Sequence, residues 1–346
     1  MRESEVGHTK AAPGTVHALA AARVLDLTAM WSGPSATSLL SQFGADVVKI
    51  ESPTRLDGVR GQPRVFRNLN KGKRSVLLDL RQPDDHELFV ALSQKADVIA
   101  ENFSPRVLRA FGLTYEVVSR SNPGLVMLSM PAYGTTGPQS NWIGFGWELE
   151  ATGGVADLMR DTAGRPTSTG LPLADPAAGV FGALAVLAAL LRREKTGQGC
   201  HIDLAQRDVV LSLIGDRFVA DHLAGSEAPL AWCFHCADGW VAIRVRDAQE
   251  WADLATTIAA QELGDDSRGK PKEGATRQAR ERLASYTRTR TCREVVRSMD
   301  DLEVRANVVS DARRTAERLQ KEEGDSDGDA PLPDSDRHAV LADWLT

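Results

Sequence analysis

The chain has 346 residues, of which 42% are hydrophobic and 25% charged, a formal net charge of −6 and four cysteines. That length leaves room for two domains or one large one, and the balance is that of an ordinary globular protein. The acidic balance gives no basic footprint for nucleic acid, and four cysteines are too few for a disulfide framework, which predicts a reducing, cytoplasmic setting.

Residues 1–22 carry no periodic pattern and read as a loose arm, and their polar, acid-containing start lacks the form of a signal peptide. Five apolar runs follow: Arg23–Leu27, Ala45–Ile50, Ser75–Leu80, Ala96–Ala100 and Leu125–Met130. Helical patterns at Gly33–Gly44, Asp84–Lys95 and Ser104–Phe111 separate them. Continuous apolar strands alternating with helices predict an α/β fold with a mostly parallel sheet covered on both faces. The loops around these strands hold two basic clusters. One is Lys49, Arg55, Arg60, Arg64 and Arg67; the other is the run Asn70–Arg74. Surface solvation and grip on a phosphorylated ligand are both open readings of them. Neither a glycine-rich dinucleotide fingerprint nor a Walker lysine loop is present.

Beyond Pro131 comes a loop-rich stretch with Trp142, Trp147, Glu148 and Glu150, and then the segment Gly170–Gly179 leading into a helix to Arg192. Asp175 followed by Pro176 reads as an N-cap with proline at the first helical position. A carboxylate at a helix start is also placed for covalent chemistry on a bound acyl group. The apolar run Val180–Leu191 has core-helix length, so no membrane span is expected. A strand at His201, a helix Arg207–Phe218, a strand Trp240–Val245 and helices at Ala248–Gln261, Thr276–Tyr286 and Arg293–Met299 come next. The low-hydrophobicity run Glu322–Asp336 reads as a surface loop before a last helix, His338–Leu345. Cys233 and Cys236 have metal-like spacing, but no second pair answers them, and no metal site is expected.

Taken together, Gly33-Pro-Ser, Leu39–Glu51, Asn70–Leu80, Asp97–Phe103, Gly112–Glu116, Tyr133–Pro138 and Thr196–Gly199 resemble the family III coenzyme A transferases in order and spacing. The resemblance implies a large Rossmann-like domain (23–218), a smaller, shortened α+β domain (219–321), and a tail (322–346) that returns to the large domain. It implies an interlocked homodimer, with a hetero-oligomer as the variant, and acyl-CoA and a carboxylate acceptor as substrates. Asp175 falls where these transferases carry the attacking carboxylate. By the same resemblance Asn102 contacts CoA, with Arg60, Lys73, Arg74 and Arg109 on its phosphates, and Trp31, Phe145 and Trp147 border the acyl pocket. Phe145 stands where the family's racemases have a histidine, so the resemblance favours CoA transfer. Two alternatives remain: an acyl-CoA racemase or epimerase, with His201 or His222 as its second base, and a non-catalytic CoA-thioester-binding subunit.

Overall fold

The computed structural model describes residues 18–161, 163–215, 230–246, 250, 253–254, 257–258, 275–310 and 329–345. They fall into two compact units, one formed by the described residues up to Gly215 with those from Asp329 onward, the other by those between. The expected arm up to residue 17, most of the helix 248–261, the start of the acidic loop and the boundary at 218 lie outside the described residues.

The first unit is built on a six-stranded sheet in which every neighbouring pair is parallel. Its strands are β1 (Arg23–Asp26), β2 (Asp46–Glu51), β3 (Arg74–Leu77), β4 (Val98–Glu101), β5 (Val126–Ser129) and β6 (Cys200–Asp203), in the order β3-β2-β1-β4-β5-β6. Because side chains alternate along a strand, each face collects its own core. On one face Val24, Val98, Val126 and Leu128 pack with α1 (Ser32–Gln42) and α8 (Ala174–Thr196). On the other, Leu25, Ile99 and Met127 pack with Phe89 and Leu92 of α3 (Pro83–Ser93) and with Trp344. The order reverses between β1 and β4, so the crevice beyond the carboxyl ends of these two strands is where such a sheet takes its ligand.

The C-terminal helix Arg337–Leu345 and the segment before it close the free edge of β3. The Ser75 and Leu77 amides, which would otherwise face outward from the edge strand, donate to Asp336 (2.9 Å) and Asp334 (2.8 Å). The Trp344 indole donates to Asp46 at 2.8 Å. Pairing an edge in this way removes a template for aggregation.

Three helices depart from the sequence expectation. The pattern at Ser104–Phe111 yields only α4 (Arg106–Ala110), and α5 (Tyr115–Val118) is an additional turn. Of the helix expected at Arg207–Phe218, α9 spans Gln206–Leu213. The long helix α8 starts earlier and ends later than Asp175–Arg192, and its 23 residues have the length and composition of a membrane span. It nevertheless packs along α1 and against β5 as a core helix does. Gly197, at φ 71°, ends it in the left-handed conformation that glycine adopts without cost.

The second unit has an antiparallel sheet of β7 (Leu230–His235), β8 (Trp240–Val245) and β9 (Arg305–Val308), with helices Ala275–Arg288 and Cys292–Asp300. Phe234, Val241, Ile243, Leu283, Val295 and Met299 form its core. Cys233 is exposed whereas Cys236 is buried in that core, so the two thiols of the metal-like pair do not converge. Among the described residues no group of three or more His, Cys, Asp or Glu is arranged to hold a metal ion.

Candidate active site

Asp175 does not cap its helix. Leu173 occupies the capping position with helical φ −54° and ψ −33°, and Asp175 lies within the first turn, its amide donating to the Pro172 carbonyl at 3.1 Å. The capping work comes from another element. Glu150, on α6 (Gly146–Thr152) and wholly buried, accepts the Leu173 amide at 2.8 Å, the Thr169 amide at 3.1 Å and the Thr169 hydroxyl at 2.9 Å. A buried carboxylate with several donors is satisfied and rigid, so Glu150 fixes the approach to α8 and frees Asp175 from any structural duty there.

The Asp175 side chain is aimed at the start of α1, where the Ser32 amide donates to it. Two glycines make this approach geometrically feasible. A Cβ on Gly179, one turn after Asp175, would lie 2.5 Å from Ser35 Cβ and 3.1 Å from the Ala36 nitrogen, so α1 and α8 touch nearly backbone to backbone. A Cβ on Gly146 would lie 2.3 Å from Asp175 Oδ2. Burial pushes the Asp175 carboxyl up to about 6, the Ser32 amide opposes that rise, and the nearby Glu150 charge adds to it. The result is a carboxylate still ionised at neutral pH but more basic than usual.

Phe145 and Trp147 flank Gly146 in sequence and are 53% and 47% exposed, so two large apolar side chains face solvent beside the glycine that meets Asp175. Trp31 precedes α1, and its carbonyl accepts the Ser35 amide at 2.9 Å. The acyl-pocket residues expected from the sequence thus lie next in the chain to the two groups that meet Asp175, Gly146 and Ser32. A separate cavity of about 440 Å³ opens between the loop 133–139 and α9, bordered by Tyr133, Phe181, Asp203 and Arg207, and Asp175 is not on its wall.

A family model, CoA-transferase family III, matches residues 19–341. The chain belongs to CoA-transferase family III. It is 35% identical over 270 residues to the succinyl-CoA–L-malate CoA-transferase beta subunit of Chloroflexus aurantiacus, covering 72% of this chain and 67% of that one. It is 33% identical over 295 residues to the succinyl-CoA:mesaconate CoA-transferase of Haloarcula hispanica, covering 77% and 74%. The solved structure of Rv3272 from M. tuberculosis superposes with a TM-score of 0.79 at 26% identity, covering 94% of this chain and 99% of that one. The general reaction of this CoA-transferase is therefore CoA transfer from an acyl-CoA to a carboxylate, with coenzyme A thioesters as substrates.

The family III structure rearranges the expected CoA-phosphate set. Lys73 is buried, with Asp26 Oδ2 and the Asn70 amide oxygen each at 2.9 Å and the Thr37 hydroxyl at 2.8 Å. Burial pulls its ammonium down to about 8, against the Asp26 charge that holds the proton on. Arg74 is paired with Asp46 and, at 2.7 Å, with Asp343 of the C-terminal helix. Arg60 forks onto Glu51, donates to the Pro331 carbonyl at 3.1 Å, and stacks on Phe66. These three cations thus each pair with carboxylates of the protein itself, from the buried Asp26 and Glu51 to the exposed Asp343. Arg109, by contrast, is exposed on α4. Asn102 lies directly after β4 at the crevice, with both ends of its amide bonded to Ala29. Arg60→Ala is accordingly expected to cost about 1–3 kcal/mol of stability through the orphaned Glu51. It should change KM for an acyl-CoA by no more than about twofold; denaturation and steady-state kinetics read the two effects separately.

His201 does not supply a second base for Asp175. Its ring stacks on Tyr115 and bonds the Ser129 hydroxyl at 2.9 Å, whereas its neighbours Cys200 and Ile202 turn toward the core that includes α8. His222 lies outside the described residues. Sequence reasoning missed Ser32, Gly146, Gly179 and the role of Glu150. Gly179, inside the helix expected to start at Asp175, was the available signal, because a glycine within a helix often marks a close approach.

Proposed function

We propose that this enzyme transfers CoA through covalent intermediates on Asp175. The carboxylate attacks the thioester carbonyl, the carbon–sulfur bond breaks, and CoA leaves as thiolate from a mixed anhydride. The thiolate returns to the aspartyl carbonyl and expels the donor carboxylate, leaving an aspartyl-CoA thioester. The acceptor carboxylate attacks that thioester and releases the thiolate again. Finally the thiolate attacks the acceptor's own carbonyl in the second anhydride, which frees Asp175. Splitting one exchange into such steps is what a nucleophilic carboxylate offers. The observation that carries the reading is the placement of Asp175: no capping duty, a raised basicity, and a single amide donor from a helix start. A donor of that kind also stabilises the oxyanion that each step generates.

Because the two relatives named above act with succinyl-CoA, succinyl-CoA with a small dicarboxylate is the pair to assay first. Phe145 and Trp147 supply the apolar wall for the acyl group, and the exposed Arg109 is the remaining candidate for a CoA phosphate. A homodimer accounts for the exposed stripe Val180, Leu184 and Leu191 on α8, whose spacing keeps these side chains on one face. All four cysteines are free thiols, which supports a cytoplasmic enzyme.

The test is trapping. The protein is incubated with an acyl-CoA, quenched with hydroxylamine or borohydride, and digested for mass spectrometry. Modification at Asp175 is the expected result. Solvent deuterium entering the α-carbon without an adduct would point to isomerisation, and neither signal would leave a binding subunit. Native mass spectrometry of the same sample should give twice the 37.4 kDa chain.

A further inference from the structure

The turn from β1 into α1, residues 28–32, is held by side chains from distant parts of the chain. The Thr28 amide donates to Asp26 Oδ1 at 2.9 Å, and the Thr28 carbonyl accepts from Lys49 Nζ at 2.8 Å. Asn102 engages both backbone groups of Ala29, accepting its amide at 2.9 Å and donating to its carbonyl at 2.8 Å. The Met30 amide donates to Asp57 Oδ1 at 3.0 Å, and Asp57 Oδ2 lies 3.0 Å from the Lys49 ammonium, both side chains fully buried. The Asn102 contacts cross the point where the strand order reverses, between β1 and β4.

The turn is also strained. Met30 sits at φ 68°, in the left-handed region that an unbranched, non-glycine residue enters only when its surroundings over-determine it. A connection whose sole task was to join β1 to α1 would need neither the strain nor this number of clamps. What the turn delivers is the Ser32 amide, the backbone donor to Asp175.

We infer that Asn102 is a positioning residue for Asp175: by clamping Ala29 it fixes the turn 28–32 and thereby the direction of the Ser32 amide that holds the reacting carboxylate. This rests on the reading of Asp175 as nucleophile. The Asn102 amide oxygen and one of its amide hydrogens serve Ala29, and its Nδ2 also lies 3.4 Å from the Ser32 hydroxyl oxygen. Loss of the clamp leaves Asp175 in place but lets its donor drift, and small misplacements near reacting atoms are expensive in rate.

Asn102→Ala tests this without changing any charge. The expected outcome is a kcat about 10- to 100-fold lower, with KM for the acyl-CoA within about twofold of wild type. The acid limb of the kcat–pH profile should move to higher pH. Burial and the facing Glu150 carboxylate still raise the Asp175 carboxyl, while the opposing Ser32 amide is weakened. Asn102→Ser, whose hydroxyl can serve one of the two Ala29 groups, should recover part of kcat, and it carries the test if the alanine variant fails to fold. Thermal unfolding of both variants separates positioning from collapse. A raised KM with unchanged kcat would identify a CoA contact and overturn the inference, as would an unchanged kcat and pH profile. The trapping experiment keeps the two readings apart. An adduct on Asp175 beside a wild-type kcat in Asn102→Ala defeats the positioning role alone, whereas no adduct in the wild type defeats the nucleophile itself.

Discussion

Asp175→Asn should lose at least about 1000-fold in kcat while making the protein more stable at neutral pH. The loss of rate follows from replacing a carboxylate nucleophile by an amide that cannot form the anhydride. The gain in stability follows from the site's electrostatics. Burial first, then Glu150, raises the folded-state carboxyl from 3.8 to about 6 despite the Ser32 amide. The ionised form is thus disfavoured in the fold. The wild type has its full stability from this group below about pH 4, and loses it as the pH climbs through about 6. Asparagine carries no such charge. After allowance for the partial exposure of Asp175, the variant should gain about 1–2 kcal/mol at pH 8 and nothing near pH 4. Urea unfolding at the two pH values reads this directly. A variant less stable at pH 8 would mean that the carboxylate does structural work, and a variant retaining substantial turnover would remove the nucleophile assignment.

That stability prediction reverses what the local sequence implies, and the reason is instructive. Within a short window, Asp175-Pro176 after an apolar segment reads as a cap. The structure satisfies the helix start from Glu150, which is 23 residues earlier in the chain and on another helix. A window cannot see that partner. The ion pairs made by the basic clusters were hidden for the same reason. Lys73, Arg74 and Arg60 look free in sequence, yet their carboxylates are Asp26 and Asp46 on other strands, Asp343 near the C-terminus and Glu51 nine residues away. Strands β1 to β5, in contrast, were legible because a parallel sheet buried on both faces demands apolar runs such as Leu125–Leu128, and such runs need no partner to be recognised. Asp175 itself was singled out by local pattern, but its chemical role came from the ordered set of family segments. The turn 28–32 was illegible altogether, since its shape is set by Asp57 and Asn102, neither of which is near it in sequence.

Gly146→Ala should cripple the enzyme although it adds only one methyl group. By helix propensity alone it would help, since alanine is better than glycine in a helix by about 1 kcal/mol. At this position, however, the new Cβ would stand 2.3 Å from Asp175 Oδ2 and 2.6 Å from Pro172 Cβ. Pro172 is a ring just before α8 and has no flexible end to give way, whereas the Asp175 carboxyl can yield only by turning about its side-chain bonds. The carboxylate must therefore rotate away from the Ser32 amide, or α6 must slide from α8 and drag Glu150 from its contacts. Overpacking of this kind costs about 1–3 kcal/mol, and loss of alignment at the nucleophile should lower kcat about 100-fold with a smaller effect on KM. A double-mutant cycle isolates the cause. If the clash with Asp175 dominates, Gly146→Ala should be clearly less destabilising in an Asp175→Ala background than in the wild type, because the shorter side chain vacates the contested space. Equal costs in both backgrounds would assign the damage to Pro172, and wild-type kcat in Gly146→Ala would show that the carboxylate does not need the orientation seen here.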